Sequence, residues 1–159
     1  MKFDREHELP SSLWILGDGE LLERVFVNLI DNAIKYSPMG SQVTFRLRPV
    51  AKVVDVEVCD QGFGIPAEDL GRVFDPYFHA TLTPPIESSG VGLSLRFVRT
   101  AVELHGGSVL VESEVGRGST FIVRLPTEAP QPESPRAADQ GLADYQTVDR
   151  SDSGSVPNL

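Results

Sequence analysis

One stretch decides the fold: residues 20–38, which read ELLERVFVNLIDNAIKYSP. Its apolar residues recur three or four positions apart, which is the spacing of one face of an α-helix. They are Leu21, Leu22, Val25, Phe26, Leu29, Ile30, Ala33 and Ile34. Asp18 comes just before this pattern and is a residue type that commonly caps a helix N-terminus. The stretch therefore predicts an amphipathic helix that begins after Asp18.

Alternating apolar residues predict four strands on the C-terminal side of this helix. The alternation involves Val43, Phe45 and Leu47, then Val54, Val56 and Val58, then Val109 and Val111, and finally Phe121, Val123 and Leu125. A short link at Pro49 predicts that the first two strands are antiparallel. Gly116 and Gly118 flank a predicted turn, which makes the last two strands a hairpin.

A second helix is predicted before the hairpin. Its apolar residues are Val91, Leu95, Val98 and Val102, and His105–Gly107 close it because a glycine can adopt the left-handed conformation after a helix. Each predicted element has a single apolar face to bury. The predicted fold class is therefore an α/β (α+β) two-layer sandwich, in which helices cover one face of a mixed, mostly antiparallel sheet.

The hydrophobic alternation stops at Pro126, and a sequence rich in proline, alanine and acidic residues follows. Such a composition cannot bury enough apolar surface to fold. We therefore predict one folded domain over residues 1–126 and a disordered tail over residues 127–159.

Composition excludes several classes of protein. The net charge of -9 argues against a nucleic-acid-binding surface, because phosphate backbones require clustered Lys and Arg. No apolar run approaches the roughly 20 residues that a membrane-spanning helix needs, and the charged N-terminus is unlike a signal peptide. The single cysteine, Cys59, cannot form an internal disulfide and fits a reducing cytosol. These features predict a cytoplasmic segment without membrane or nucleic-acid contacts.

Three polar residues share one face of the first predicted helix. Asn28, Asn32 and Lys35 stand at positions i, i+4 and i+7. An amide oxygen can be one ligand of a Mg²⁺ ion that takes its other ligands from phosphate and water, and a lysine can contact the same phosphates. The alternative is an ordinary solvated face with an ion pair between Asp31 and Lys35.

Asp60 ends the second predicted strand and opens the sequence DQGFGIP, residues 60–66. A carboxylate accepts a hydrogen bond from an exocyclic amine such as that of adenine, and it repels the carbonyl that guanine carries there. Gly62 and Gly64 allow a flat base to approach the backbone. The alternative is an ordinary strand-to-helix turn with Pro66 at the first helical position.

Gly90 and Gly92 lie in GVGLSL, residues 90–95, just before the second predicted helix. A glycine-rich backbone that leads into a helix N-terminus exposes unpaired N–H groups, which suit a phosphate. Residues 79–89 are polar and interrupted by prolines, and we interpret them as a mobile loop that closes over a nucleotide.

Five motifs occur in a fixed order along the chain: NLIDNAIKYSP, DQGFGIP, VFDPYF, GVGLSL and HGGSVLVESEVGRGSTFIVRLP. In order and spacing they resemble the boxes of the catalytic ATP-binding domains of sensor histidine kinases, which belong to the GHKL superfamily. The resemblance covers about residues 13–126. It implies the Bergerat fold, ATP and Mg²⁺ as cofactors, and a histidine kinase activity in two-component signalling.

The resemblance also implies a role for each motif residue. Asn32 and Lys35 would be catalytic, with Asn32 as the Mg²⁺ ligand and with Asn28 and Lys35 at the phosphates. Tyr36 would pack beside the nucleotide, and Asp60 would accept from the adenine amine. The other nucleotide-binding residues that it implies are Gly62, Gly64, Ile65, Ser89, Gly90, Val91, Gly92 and Leu93.

Complete kinases of this family carry a helical hairpin with the phospho-accepting histidine before the ATP-binding domain. His7, His79 and His105 lie in a charged leader, a loop and a helix end. We therefore expect the acceptor on a separate or excised dimerisation hairpin, with a response regulator downstream. An excised domain and half of a split kinase both stay open. Two other readings are an anti-sigma-type serine kinase, which shares the fold, and a degenerate non-catalytic module, for which Ser88 and Ser89 are the only hints.

Overall fold

The structure is a computed structural model that describes residues 2–4, 13–80 and 91–128. Within these ranges it contains five strands and two helices. In chain order they are β1 (Lys2–Asp4), α1 (Gly19–Lys35), β2 (Thr44–Val50), β3 (Val53–Cys59), α2 (Ser94–Leu104), β4 (Ser108–Glu114) and β5 (Gly118–Pro126). Neither of the two helices found in these ranges is long and apolar enough to cross a membrane.

Helix α1 begins where the sequence predicts, directly after Asp18. The Oδ1 atom of Asp18 accepts hydrogen bonds from the backbone N–H groups of Glu20 (2.9 Å) and Leu21 (3.1 Å). These bonds satisfy two of the donors that a helix N-terminus leaves unpaired. The buried residues of the helix are Val25, Leu29 and Ala33. The predicted amphipathic helix and its cap are confirmed.

The five strands form one mixed sheet in the order β1-β2-β3-β5-β4. β1 is parallel to β2, and the other neighbouring pairs are antiparallel. β1 has no counterpart among the predicted strands, because its residues lie in the charged leader, where no apolar alternation marks a strand.

The link between β2 and β3 lies later than predicted. Pro49 stands inside β2 and pairs with Val54, whereas Ala51 and Lys52 make the turn. β1 pairs with β2 only as far as Arg46, so β2 is an edge strand at Pro49, and proline is tolerated at an edge. The placement of the link at Pro49 is wrong, while the antiparallel pairing is confirmed.

Both helices pack on the same face of the sheet. Alternate residues of the two central strands join the buried side of α1 and of α2 in one core cluster. These strand residues are Val54, Val56, Val58, Phe121, Val123 and Leu125. The predicted two-layer sandwich is therefore confirmed.

The opposite face of the sheet, which we call the open face, carries paired charges. The guanidinium of Arg124 donates to both carboxylate oxygens of Asp55, each at 2.7 Å. Arg48 Nη2 lies 3.2 Å from Glu57 Oε1, and Arg46 Nη1 lies 3.7 Å from Glu57 Oε2. Asp55 and Glu57 are both buried. The arginines of the flanking strands therefore pair with the carboxylates of the central strand.

Helix α2 ends as predicted but begins later. The apolar spacing predicts Val91 inside the helix, yet Val91 precedes Ser94 and is exposed, because Gly92 between them has a positive φ of 71°. His105 follows the helix, and its Nδ1 donates to the Ala101 carbonyl at 2.7 Å. Its Nε2 must then be the acceptor for the Asp18 N–H at 2.9 Å. This imidazole connects the end of α2 to the start of α1.

The described chain continues past Pro126. The backbone N–H of Thr127 donates to the Lys52 carbonyl at 2.8 Å, and that of Glu128 donates to the Trp14 carbonyl at 2.9 Å. The contacts of the domain therefore extend to residue 128, slightly beyond the predicted boundary. The rest of the predicted tail lies outside the described residues, and its disorder stays a prediction.

Candidate functional site

The polar face of α1 is present as predicted. Asn28 and Asn32 are half-buried, and Lys35 is exposed at the end of the helix. The Nδ2 atom of Asn28 donates to the Arg24 carbonyl at 2.8 Å, one helical turn earlier. This bond holds the Asn28 amide against its own helix and commits one amide hydrogen, so the amide oxygen and the other hydrogen are the groups left for a ligand.

Tyr36 joins the end of α1 to the loop of residues 60–66, which we call the glycine loop. Its carbonyl accepts a hydrogen bond from Phe63 N–H at 3.1 Å. A side chain at Gly62 would collide with the same carbonyl oxygen, so only glycine allows this approach. Lys35 Nζ lies 5.1 Å from the centre of the Tyr36 ring, within the range of a cation–π contact. The structure thus brings Lys35, Tyr36 and Gly62 together.

Asp60 lies where the glycine loop leaves β3. Its backbone N–H donates to the Ser119 carbonyl at 2.8 Å. Its Oδ1 accepts from the N–H groups of Gly62 (2.8 Å) and Ser119 (3.0 Å). Burial raises the pKa of the Asp60 carboxyl above its usual value, although these two bonds act in the opposite direction. Among the residues that the structure describes, no partner faces Oδ2, so one acceptor oxygen is held in place and free to bind.

The tip of the β4–β5 hairpin supports the other end of the glycine loop. Gly116 N–H donates to the Phe63 carbonyl at 2.7 Å, and Ile65 N–H donates to Ser113 Oγ at 2.8 Å. Gly64 has a φ of 71° and lies so close to the Glu114 carbonyl that any side chain would collide with it. Gly64 and Ile65, both predicted to line the pocket, are therefore fixed by the hairpin.

Two glycines of this hairpin have positive φ, Gly116 (79°) and Gly118 (101°), but their surroundings differ. A Cβ at Gly118 would overlap the Asp60 carbonyl, whereas a Cβ at Gly116 would meet nothing within 4 Å. We expect Gly118→Ala to lower the free energy of unfolding by about 1–3 kcal/mol more than Gly116→Ala, because only the former adds a steric overlap to the strained φ. Urea unfolding of both variants measures the difference. Equal losses would contradict the close packing of Gly118 against Asp60.

The described part of the second glycine box adjoins the segment VFDPYF. Gly92 (φ 71°) and Tyr77 (φ 62°) contact each other through their backbones, and Tyr77 N–H donates to the Gly92 carbonyl at 3.0 Å. Val91 and Leu93 are exposed at this end of α2. Ser89 and Gly90 lie outside the described residues, so their predicted contact with phosphate stays a prediction.

The aromatic residues of VFDPYF have structural contacts. Phe74 is buried and packs edge-on against Phe121, with ring centres 6.4 Å apart. Phe78 is half-buried beneath the guanidinium of Arg72, which lies 4.6 Å from the ring centre. His79 is exposed. These contacts fix the base of the predicted loop of residues 79–89, of which residues 81–89 lie outside the described ranges.

The polar groups of this site fit a nucleotide and a metal ion that binds together with the nucleotide. The unpaired Asp60 Oδ2 offers an acceptor to the edge of a base, and the absence of a side chain at Gly62 lets the loop beside it pack against the Tyr36 carbonyl. In residues 13–80 and 91–128, no cluster of three or more His, Cys, Asp and Glu side chains could hold a metal ion. A Mg²⁺ ion at Asn32 would therefore take most of its ligands from phosphate and water, which is its usual mode in nucleotide sites.

Ser113 and Ser119 also border the candidate site, although no single motif in the sequence points to them. Ser113 on β4 accepts from Ile65 of the glycine loop, and Ser119 on β5, the strand next to β3, donates to Asp60. Their only signal in the sequence is their position in the closing motif HGGSVLVESEVGRGSTFIVRLP, in which strand alternation places them on the same face as Val109 and Phe121.

Several proteins that are similar to this chain in sequence or structure are named as sensor histidine kinases. The sensor-like histidine kinase SenX3 of Mycobacterium tuberculosis is 40% identical over 119 residues, which cover 75% of this chain and 29% of that protein. The mycobacterial sensor histidine kinase MprB has a TM-score of 0.70 at 29% identity, with coverage of 80% of this chain and 84% of that chain. Full-length ShkA in complex with AMPPNP has a TM-score of 0.66 at 25% identity, with coverage of 80% and 25%.

These similarities involve the domain described above and only part of the larger kinases. The chain spans 29% of the length of SenX3. The family described as histidine kinase-, DNA gyrase B-, and HSP90-like ATPases matches residues 17–129, which include α1, the glycine loop and the β4–β5 hairpin. The chain therefore belongs to the histidine kinase-, DNA gyrase B- and HSP90-like ATPase family, and its relatives there are sensor histidine kinases.

Proposed function

We propose that this chain is the catalytic ATP-binding part of a sensor histidine kinase. It binds Mg²⁺ and ATP and donates the γ-phosphate to a histidine on a dimerisation hairpin, as one step of two-component signalling. The observation that carries the proposal is the Asp60 carboxylate, which two backbone N–H groups hold by Oδ1 while Oδ2 is left free among the described residues. The similarity to ShkA, which was solved in complex with AMPPNP, supports a nucleotide as the ligand.

The carboxylate selects the base. Adenine offers an exocyclic amine as a donor to Asp60 Oδ2, whereas guanine would place a carbonyl oxygen against the negative charge. Gly62 lets the glycine loop pack against the Tyr36 carbonyl beside this contact, because a Cβ there has no room. Gly64 and Ile65, which the hairpin fixes, form the neighbouring wall of the base pocket.

The polar face of α1 serves the phosphates. Asn32 supplies an amide oxygen to Mg²⁺, which when bound offsets phosphate charge, and Asn28 and Lys35 supply donors to the phosphates. Tyr36 lies between this face and the glycine loop, so it packs beside the nucleotide. Ser89, Gly90, Val91, Gly92 and Leu93 complete the phosphate side as the second glycine box.

The acceptor and the downstream partner lie outside this domain. In the proposed step an imidazole nitrogen of the acceptor histidine bonds to the γ-phosphorus, the bond from that phosphorus to the bridging oxygen breaks, and ADP leaves. The positioned residues of α1 and the glycine loop contribute orientation and charge rather than a covalent intermediate. A response regulator then receives the phosphoryl group, and we place the domain in the cytoplasm.

The test is incubation of the chain with γ-labelled ATP and Mg²⁺, alone and with a cognate dimerisation hairpin. We expect label on the hairpin and little on the chain itself, and we expect acid to remove it, because phosphohistidine is acid-labile and phosphoserine is stable. Acid-stable label on a serine of a partner would instead support a serine kinase. ATP binding without any transfer to the hairpin would support a non-catalytic module.

A further inference from the structure

Arg24 lies on α1, on the same face as the residues of the proposed phosphate site. It precedes Asn28 by four positions and Asn32 by eight, so the three side chains follow one another turn by turn along the helix. Asn28 Nδ2 donates to the Arg24 carbonyl at 2.8 Å, which ties the two residues together. The polar face of α1 therefore continues one turn beyond Asn28, and the next side chain on it is a cation.

The guanidinium of Arg24 reaches from α1 to α2. Its Cζ atom is 4.8 Å from the centre of the Phe97 ring, within the range of a cation–π contact. Phe97 is half-buried, and its N–H donates to the Leu93 carbonyl at 2.9 Å, so the ring stands one helical turn after the second glycine box. The contact therefore holds the guanidinium beside the helix whose first turn borders the proposed phosphate side of the site.

The stacked guanidinium can still bind an anion. A guanidinium is planar, so its face can lie on an aromatic ring while its N–H groups, which lie in the plane, donate to an anion. Arg24 is exposed, and no carboxylate of the described residues lies within ion-pair distance of it. Arg99 on α2 differs, because its Nε lies 2.9 Å from Glu103 Oε1. The positive charge of Arg24 is thus accessible to a ligand.

The order of the polar groups along α1 indicates which phosphate Arg24 would contact. The base end of the proposed site is at Asp60 and at Tyr36, where α1 meets the glycine loop. From there toward the start of α1, Asn32, Asn28 and Arg24 follow at intervals of about 6 Å, since a helix rises about 1.5 Å per residue. With the base at Asp60, the phosphate chain extends in this direction, and the terminal phosphate comes nearest to Arg24.

We propose that Arg24 is a further binding residue for the γ-phosphate of ATP. Its guanidinium stays on the Phe97 ring, donates to γ-phosphate oxygens and offsets the charge that develops there during transfer. The inference rests on the proposed ATP binding and adds to it a cation that lies outside the five sequence motifs. ADP lacks the γ-phosphate, so Arg24 should favour ATP over ADP, while the base pocket binds both nucleotides alike.

The experiment measures the affinities of the whole 159-residue chain for ATP and for ADP by calorimetry in the presence of Mg²⁺. Arg24→Gln removes the charge but keeps a good helix former. We expect this variant to lower the ratio of ATP to ADP affinity about tenfold, the effect of losing one hydrogen bond to a charged group. Arg99→Gln makes the same change on an exposed side chain of α2 and is the matched control, whose ratio should equal that of the wild type.

The outcomes separate the inference from the proposed function. An unchanged ratio in Arg24→Gln, or an equal loss of affinity for both nucleotides, would overturn the role of Arg24 while the wild-type chain still binds ATP. A wild-type chain that binds neither nucleotide would overturn both. If Arg24→Gln proves unfolded in thermal melts, Arg24→Met replaces it, because a thioether can keep the contact with the Phe97 ring. The ratio should fall in that variant too, and a wild-type ratio there would refute the inference.

Discussion

Asn32→Asp is expected to slow phosphotransfer to the hairpin about 100- to 1,000-fold, the range for loss of one electrostatic contact to a transition state. The carboxylate places negative charge beside the phosphates and changes the ligand that α1 offers to Mg²⁺. ATP binding should fall much less, because in the proposed site the base contacts Asp60 and the glycine loop rather than the helix. Transfer rates at saturating ATP and calorimetric affinities measure the two effects separately.

Two further variants make this result interpretable. Asn32→Ala removes the amide without adding charge, and it should also slow transfer if the oxygen is a metal ligand. Thr100→Asp adds the same charge to the exposed side of α2 and should leave the rate unchanged. A wild-type rate in Asn32→Asp, or an equal loss of binding and transfer, would contradict the role proposed for this amide.

Asp60→Asn is expected to weaken ATP binding by about 1.5–3 kcal/mol, the contribution of a hydrogen bond to a charged group. The asparagine oxygen can keep the bonds from Gly62 and Ser119, so the fold should persist. Its amide nitrogen then takes the place of Oδ2 and offers hydrogens to an adenine amine that is itself a donor. Calorimetry with ATP and GTP measures the change, and the discrimination against GTP should shrink.

The same variant should have the opposite effect on the stability of the nucleotide-free domain. Burial raises the folded-state pKa of Asp60 above its usual value, so the ionised carboxylate is disfavoured in the fold. Above the folded pKa this costs stability, and as the pH falls below the usual aspartate value the cost disappears, because both states are then protonated. Asp60→Asn should therefore be the more stable protein at neutral pH, with the difference fading in acid.

Thermal melts across this pH range, with and without ATP, check both effects in one series. Glu112→Gln is the matched control, since it makes the same chemical change on an exposed side chain of β4. If the nucleotide-free Asp60 variant melts below the wild type at neutral pH, the stabilising hydrogen bonds outweigh burial. An ATP affinity equal to that of the wild type would refute the role of Asp60 in reading the base.

The parts of the site that the sequence predicts are those with a local cause. α1 is predicted because its apolar spacing and its cap at Asp18 are both contained in consecutive residues. Asn28, Asn32 and Lys35 follow, since helical periodicity alone places them on one face. Asp60 is predicted because a strand pattern ends there and glycines follow.

The parts that the sequence does not predict depend on contacts between distant segments. Ser113 is hydrogen-bonded to Ile65, 48 residues away along the chain, and Asp18 to His105, 87 residues away. Local periodicity does not relate residues that are so far apart in sequence. The start of α2 is misjudged for a local reason, since the positive φ of Gly92 interrupts the helical pattern that Val91 suggests. β1 is missed because pairing with β2 compensates for a composition that is poor in strand-forming residues.

The charges on the open face also determine whether a second sheet can pack against this domain, which matters for protein engineering. A sheet whose second face is apolar tends to bury that face against another sheet. Here Asp55, Glu57 and their arginine partners cover the middle of that face with paired charges, which a second sheet would have to desolvate. Replacement of Asp55 and Arg124 by valines would enlarge the apolar area of the open face. We expect two copies of such a variant to dimerise through this face.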